Sequence, residues 1–263
     1  MNTFKGTALV TGASSGIGAV YADRLARRDH DLVLVARNTE RLTALARLLS
    51  DQTGRAVETV TADLTNASDL AGVEQILRSD ASITLLVNNA GLGATAPLLA
   101  SDIDKMQAMI ALNVTAPMRL AHAAAPGFAA RGTGTIINIA SIVAIAPELL
   151  NGVYGGSKAF LLAFSQSLKH ELADKGVRVQ AVLPGATATE FWDKSGLPVS
   201  NLPQEIVMTT EDMVDAALTG LDQGEFVTIP ALADAGDWER FEDARRAMSA
   251  KLSSAKPAPR YIA

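Results

Sequence analysis

Short runs of consecutive Val, Ile, Leu and Ala recur along the chain, separated by longer stretches whose apolar positions return every three or four residues. The runs at 7–11, 31–36, 56–61, 83–88, 134–140, 177–183 and 226–229 predict strands. Consecutive apolar positions, rather than alternating ones, are what a strand covered on both faces requires. The intervening periodicity predicts helices near 16–29, 39–52, 67–79, 102–130, 152–175 and 211–222. Each connection is long enough for a right-handed crossover between parallel strands. The pattern predicts the α/β class: a single doubly wound domain of Rossmann type over residues 1–263. Its sheet would be parallel and about seven-stranded, with helices on both faces.

Two stretches break the rhythm. Residues 186–210 hold Phe191, Trp192, Leu197, Pro198, Leu202 and Pro203 without a clean period, which suggests a substrate lid between a strand and a helix. Residues 236–252 read as an extra C-terminal amphipathic helix carrying Trp238, Phe241, Ala244 and Met248. No composition shift marks a second domain.

Of the 263 residues, 48% are hydrophobic and 19% charged, which suits a compact folded chain. A formal charge of −5 gives no electrostatic reason to expect nucleic acid or an anionic membrane as partner. The absence of cysteine excludes thiolate nucleophiles and cysteine-based metal sites. His30, His122 and His170 lie far apart without metal-ligand spacing, so no metal is expected. The apolar run opening at Met1 is too short for a signal segment, and the one at 135–147 is too short to span a bilayer. A cytoplasmic location is the expectation.

The first predicted strand runs straight into Thr11-Gly12-Ala13-Ser14-Ser15-Gly16-Ile17-Gly18, where a helix opens. Glycines there let the backbone turn tightly and approach a pyrophosphate, and the helix N-terminus offers free N–H groups. The spacing is not G-x-G-x-x-G, and a plain strand-to-helix turn would also use such glycines. At the end of the second strand, where an NAD-binding chain usually offers an acid, stands Arg37. A guanidinium suits a 2′-phosphate, which favours NADP(H) over NAD(H).

Tyr154 and Lys158 are four apart on a predicted helix and so share one face. A phenol ionises near pH ~10, and a neighbouring ammonium moves it toward the neutral range. Ser141 ends the fifth predicted strand, on the side where ligands of open α/β sheets sit, and could donate to a substrate oxygen. Asn113 lies mid-helix, four residues before Pro117. Proline lacks the N–H that would bond the Asn113 carbonyl, which predicts a kink and a free carbonyl able to hold a water.

In this order, the pieces resemble the short-chain dehydrogenase/reductase family over roughly residues 5–190. The resemblance rests on the Thr11–Gly18 loop, Asp63-Leu64, Asn88-Asn89-Ala90-Gly91, Asn113, Ser141, Tyr154-x-x-x-Lys158 and Pro184-Gly185-x-Thr187. It implies catalysis by Asn113, Ser141, Tyr154 and Lys158. Tyr154 would be the acid/base, Lys158 would lower its pKa and hold the nicotinamide ribose, Ser141 would orient the substrate oxygen, and Asn113 would support a relay water. NADP(H) would lie on Gly12, Ser14, Ser15, Gly16, Ile17, Gly18, Arg37, Ala90, Gly91, Pro184 and Gly185. Asp63 and Leu64 would meet the adenine, Asn89 the groove wall and Thr187 the carboxamide. The implied reaction interconverts a carbonyl and a secondary alcohol, with a partly apolar small-molecule substrate. A homo-oligomer, dimer or tetramer, is implied too, although Phe226-Val-Thr-Ile-Pro-Ala-Leu leading into a helix departs from the usual family ending. A non-catalytic dinucleotide sensor would have shed the Tyr, Lys or Ser.

Overall fold

The computed structural model describes residues 5–262; the opening residues of the N-terminal apolar run lie outside them. Seven parallel strands form one sheet: β1 (Thr7–Thr11), β2 (Asp31–Ala36), β3 (Val57–Thr61), β4 (Ile83–Asn88), β5 (Gly134–Ile139), β6 (Val177–Val182) and β7 (Val227–Thr228). Their order is β3-β2-β1-β4-β5-β6-β7, so the winding reverses between β1 and β4. Helices α1 (Gly16–Arg27), α2 (Thr39–Thr53), α3 (Ala67–Ser79), α4 (Ile103–Ile110), α5 (Ala116–Arg131), α6 (Gly152–Leu172), α7 (Phe191–Lys194) and α8 (Thr210–Gln223) complete the unit that ends at Pro230.

The consecutive apolar runs are explained by two separate buried layers. Ala8, Val10, Leu32, Leu34 and Val87 point to one face, under α1, α2 and α8. Their neighbours Leu9, Val33, Val35 and Leu86 point to the other, under α3, α5 and α6. Side chains alternate along a strand, so covering both faces demands an apolar residue at nearly every position. Polar side chains that enter this core bond one another: Asn88 donates to Asn138 (2.9 Å), and Asn138 to Ser165 (2.8 Å).

The long helix expected at 102–130 is two helices joined by a π-helical turn, Ala111–Thr115. The turn widens the backbone just before Pro117, taking the place of a sharp kink. The irregular stretch 186–210 is also more ordered than its sequence suggests. It contains α7 and two short 3-10 turns, and a parallel bridge between Thr187 and Met208 closes its base.

Residues from Ala231 onward form a second unit, built on α9 (Ala235–Ser249). Asp234 caps its N-terminus, and Trp238 packs against Phe241 at 5.4 Å between ring centroids. No helix among the described residues is long and apolar enough to cross a membrane.

Candidate active site

The loops after β1 and β4 meet where the winding reverses, and Thr11 stitches them together. Its buried hydroxyl accepts from the backbone N–H groups of Asn89 and Ala90, both at 3.0 Å, and donates to the Val87 carbonyl. The Asn89 amide returns a bond to the Thr11 carbonyl at 2.9 Å. Gly12 and Gly16 both have positive φ (66° and 53°), which side-chain-bearing residues rarely adopt. A Cβ at Gly18 would run into the Gly12 carbonyl and the Asn89 amide. Ser15 precedes α1 without a side-chain capping bond, so the first N–H groups of the helix face the loop uncapped. Uncapped donors, a positive dipole end and a glycine turn fit a diphosphate.

Arg37 extends from the end of β2 with its side chain 69% exposed and its nearest acid, Asp63, at 3.9 Å. Asp63 is held below the usual carboxylate range, first by its bond from the Thr65 hydroxyl. The side chain of Leu64 packs into the buried layer under α3.

The opposite wall of the groove belongs to α6. Asn151 caps it, accepting from Val153 and Tyr154 N–H, while its own amide donates to the Ala96 carbonyl (2.6 Å) and to Ser101 (3.0 Å). One residue therefore fixes both the start of α6 and the chain after β4. Tyr154 and Lys158 are buried. Lys158 Nζ donates to the Ile139 carbonyl at 2.8 Å and lies 5.8 Å from the centre of the Tyr154 ring. Ser141 caps the turn after β5, its hydroxyl accepting from the Val143 N–H at 3.4 Å, and it is the polar side chain that acts on the Tyr154 phenol. Asn113, in the π turn, holds both the N–H and the carbonyl of Leu92 (2.9 and 2.8 Å) and donates to Ser157 (3.0 Å). Ser157 in turn donates to the Tyr154 carbonyl at 2.7 Å.

Burial pushes the Tyr154 phenol up to about 12, with the Ser141 hydroxyl opposing it. Burial also takes Lys158 down to about 8. Desolvation, rather than attraction between the two groups, sets both directions. In this geometry the tyrosine is kept protonated, and the downward pull anticipated from the lysine does not dominate.

Pro184, Gly185 and Thr187 line the start of the irregular stretch. Ile142 N–H bonds the Pro184 carbonyl, and the Thr187 hydroxyl bonds the Gly185 carbonyl. Trp192 is buried, and its indole N–H bonds the Thr187 carbonyl at 2.9 Å, which makes it a brace for this stretch. Phe191 stacks obliquely on Tyr154 with centroids 5.6 Å apart, and its ring fills the space a side chain at Gly93 would need.

Thus the glycine loop, Asn89, Ala90, Gly91, Asn113, Ser141, Tyr154, Lys158 and the Pro184–Thr187 segment gather at the carboxyl ends of β1, β4, β5 and β6. No role was expected of Thr11 beyond opening the glycine loop, nor of Asn151 and Ser157. Asn151 carried a readable signal, an Asn just before a predicted helix start. Thr11 and Ser157 act through partners distant in sequence, 78 and 44 residues away for Asn89 and Asn113.

The chain is similar to known proteins over most of its length. The structure of a short-chain dehydrogenase from Sphingobium yanoikuyae in complex with NADPH is similar with a TM-score of 0.95 and 50% identity, over 97% of this chain and 99% of that one. A bulky-bulky ketone specific alcohol dehydrogenase from Comamonas testosteroni is similar at 0.92 and 46%, over 99% and 100%. Serine 3-dehydrogenase of Rhizobium radiobacter is 39% identical over 191 residues, 71% of this chain and 74% of the relative. A family model described as short chain dehydrogenase matches residues 6–198. The chain belongs to the short-chain dehydrogenase family.

Proposed function

We propose that this chain is a cytoplasmic, NADP(H)-dependent reductase of ketones, or the reverse secondary-alcohol dehydrogenase, with Tyr154 as the acid/base. The observation that carries the reading is a buried phenol with the Lys158 ammonium 5.8 Å from its ring centre and Ser141 at the end of the adjoining strand, at the mouth of a glycine-lined groove. The reported NADPH complex of the Sphingobium relative supports the cofactor. So does Arg37, which offers a 2′-phosphate an exposed guanidinium.

Bound NADPH supplies the hydride that reduces the carbonyl carbon. Tyr154 Oη donates its proton to the substrate oxygen as that oxygen gains negative charge, and Ser141 Oγ steadies the same oxygen by a second hydrogen bond. Lys158, anchored on the Ile139 carbonyl, stabilises the tyrosinate left behind. The Asn113 side chain is engaged with Leu92 and Ser157, so its task is to hold the π turn. A relay water would rest on its backbone carbonyl, which Pro117 has no N–H to serve. Ser14, Ser15 and Ile17 offer backbone N–H groups to the diphosphate, and Asp63 borders the adenine. Leu64 reaches the nucleotide only through its backbone.

The ketone specificity named for the Comamonas relative, together with Phe191, Leu92, Leu150 and Val153 around Tyr154, supports a bulky, largely apolar ketone. The groove between α5 and α6, lined by Met118, Ala125, Ala129, Phe164 and Leu168, is the face we assign to a second copy of the chain. Light scattering would report a monomer if this assignment were wrong. The function itself is tested by following NADPH consumption across a panel of aliphatic, diaryl and alkyl-aryl ketones, with Tyr154→Phe in parallel. Turnover retained by that variant would sink the mechanism.

A further inference from the structure

Three successive residues of the lid touch three stations of the groove. Thr189 lies against Gly16, its methyl 3.1 Å from where a Cβ would stand. Glu190 grips Arg41: both carboxylate oxygens accept from the same guanidinium nitrogen at 3.0 Å. Phe191 covers Tyr154. The strap is held at its far side by Ser195, whose carbonyl accepts from the Thr95 N–H (3.3 Å) and hydroxyl (2.8 Å).

Arg41 stands in the first turn of α2, its backbone N–H bonded to the Asn38 side chain at 2.9 Å. It is thus fixed one turn beyond Arg37, at the corner of the groove that the 2′-phosphate reading gives to Arg37. The two cations differ in their commitments. Arg37 meets only Asp63, at the margin of an ion pair, whereas Arg41 is engaged by an acid that belongs to another element, 149 residues away. Glu190 has a second cation of its own, Lys194, at 2.7 Å on the next turn of α7. Removing Arg41 therefore leaves the carboxylate still paired, which makes the exchange inexpensive.

We infer that Arg41 is a second, cofactor-discriminating cation for the adenosine 2′-phosphate, and that Glu190 competes with the phosphate for it. This rests on the NADP(H) reading above. When a 2′-phosphate is present, Arg41 turns to it and Glu190 falls back on Lys194, which loosens the strap next to Phe191. A nucleotide without that phosphate leaves the Arg41–Glu190 pair intact. Discrimination between the two cofactors and the hold on the lid over Tyr154 are then one equilibrium. A phosphate monoester carries up to about two negative charges near neutral pH against one on the carboxylate, so the phosphate wins the exchange.

The test uses the full chain with 2′,5′-ADP and 5′-AMP as probes, titrated calorimetrically at low ionic strength, where exposed charges are least screened. Glu190→Gln should tighten 2′,5′-ADP about three- to fivefold and leave 5′-AMP unchanged, the size expected for relieving an exposed ion pair. Arg41→Gln should weaken 2′,5′-ADP about tenfold, again without effect on 5′-AMP. In the double variant, the gain from Glu190→Gln should vanish. A Glu190→Gln variant that binds 2′,5′-ADP as the parent does, or tightens both probes alike, overturns the competition. Equal binding of the two probes by the unmodified chain overturns the NADP(H) reading itself, and is thereby distinguishable from failure of the competition alone.

Discussion

At the amino-terminal edge of the sheet, a cavity of about 650 Å3 opens among Lys5, Arg28, His30, Arg178 and Asp222. The carboxyl-terminal edge holds the glycine loop, Arg37, Ser141 and Tyr154. In the cavity, three of the polar side chains are already committed to partners. Arg28 pairs with Asp222 at 2.9 Å, Arg178 donates to the Leu221 carbonyl, and His30 bonds the Gly6 carbonyl. The two arginines sit near the C-termini of α1 and α8, where helix dipoles call for positive charge. At the opposite edge the helices begin, their N–H groups point outward, and Arg37 stands mostly open. Unused hydrogen-bonding capacity on a glycine turn marks the reactive end.

The strongest test of this contrast removes one polar group from each edge. Tyr154→Phe should lower ketone reduction about 10³-fold, within the range for losing a general acid, with NADPH affinity within about twofold of the parent. His30→Gln, on the other edge, should leave kcat within about twofold. Loss of turnover in the histidine variant would break the contrast.

Gly18→Ala places a methyl against the Gly12 carbonyl and the Asn89 amide, between the two stitched loops. It should destabilise the protein by about 2–3 kcal/mol, read by denaturant unfolding, and weaken NADPH binding. Gly54→Ala, at a helix end with open space, would lose only what its positive φ costs, about 1 kcal/mol.

Lys158 supplies a pH signature for the carboxyl edge. Its folded pKa of about 8 lies below the ordinary 10.5, so between these values the unfolded chain holds a proton that the folded one has released. Stability should therefore rise with pH over this window, by roughly 2 kcal/mol between pH 8 and 10. The buried phenols of Tyr154 and Tyr21, both shifted upward, reverse the trend only above their ordinary value of 10. Urea midpoints measured across this range should lose the rise in Lys158→Met.

The smallest effect sharpens the comparison most. Arg37→Gln should weaken NADPH about tenfold, roughly 1.4 kcal/mol, and leave NADH alone. Arg178→Gln should change neither affinity and cost about 1 kcal/mol of stability through the lost bond to Leu221. Fluorescence titration of both nucleotides with both variants decides it.

Much of this was legible in the sequence. Five of the seven strands are buried runs of five or six residues, and burial on both faces leaves a signal that local composition carries unaided. The residues that gather at the site could be read as well, because nearly all sit just after a strand or in the first turns of a helix, and Pro117 pointed to Asn113. What escaped was whatever depends on distant partners. Thr11 reads as an ordinary strand-ending threonine until Asn89 is placed beside it. Arg41 and Glu190 read as solvated charges, and nothing periodic links them. The π turn was read as a kink because proline announces a missing hydrogen bond but not how the backbone absorbs it. Helix α7 has four residues, too few for an amphipathic period to show.

The bridge between Thr187 and Met208 has a bearing on how such a catalyst diversifies. Ala188 N–H bonds the Met208 carbonyl and Met208 N–H bonds the Ala186 carbonyl, both at 2.9 Å, while the Thr210 hydroxyl clasps the Ala188 carbonyl. The excursion between them is pinched off at its neck like a bead on a thread. Its length and side chains can be exchanged as a cassette while the scaffold below keeps its register, so new substrate ranges become reachable by swapping one insert.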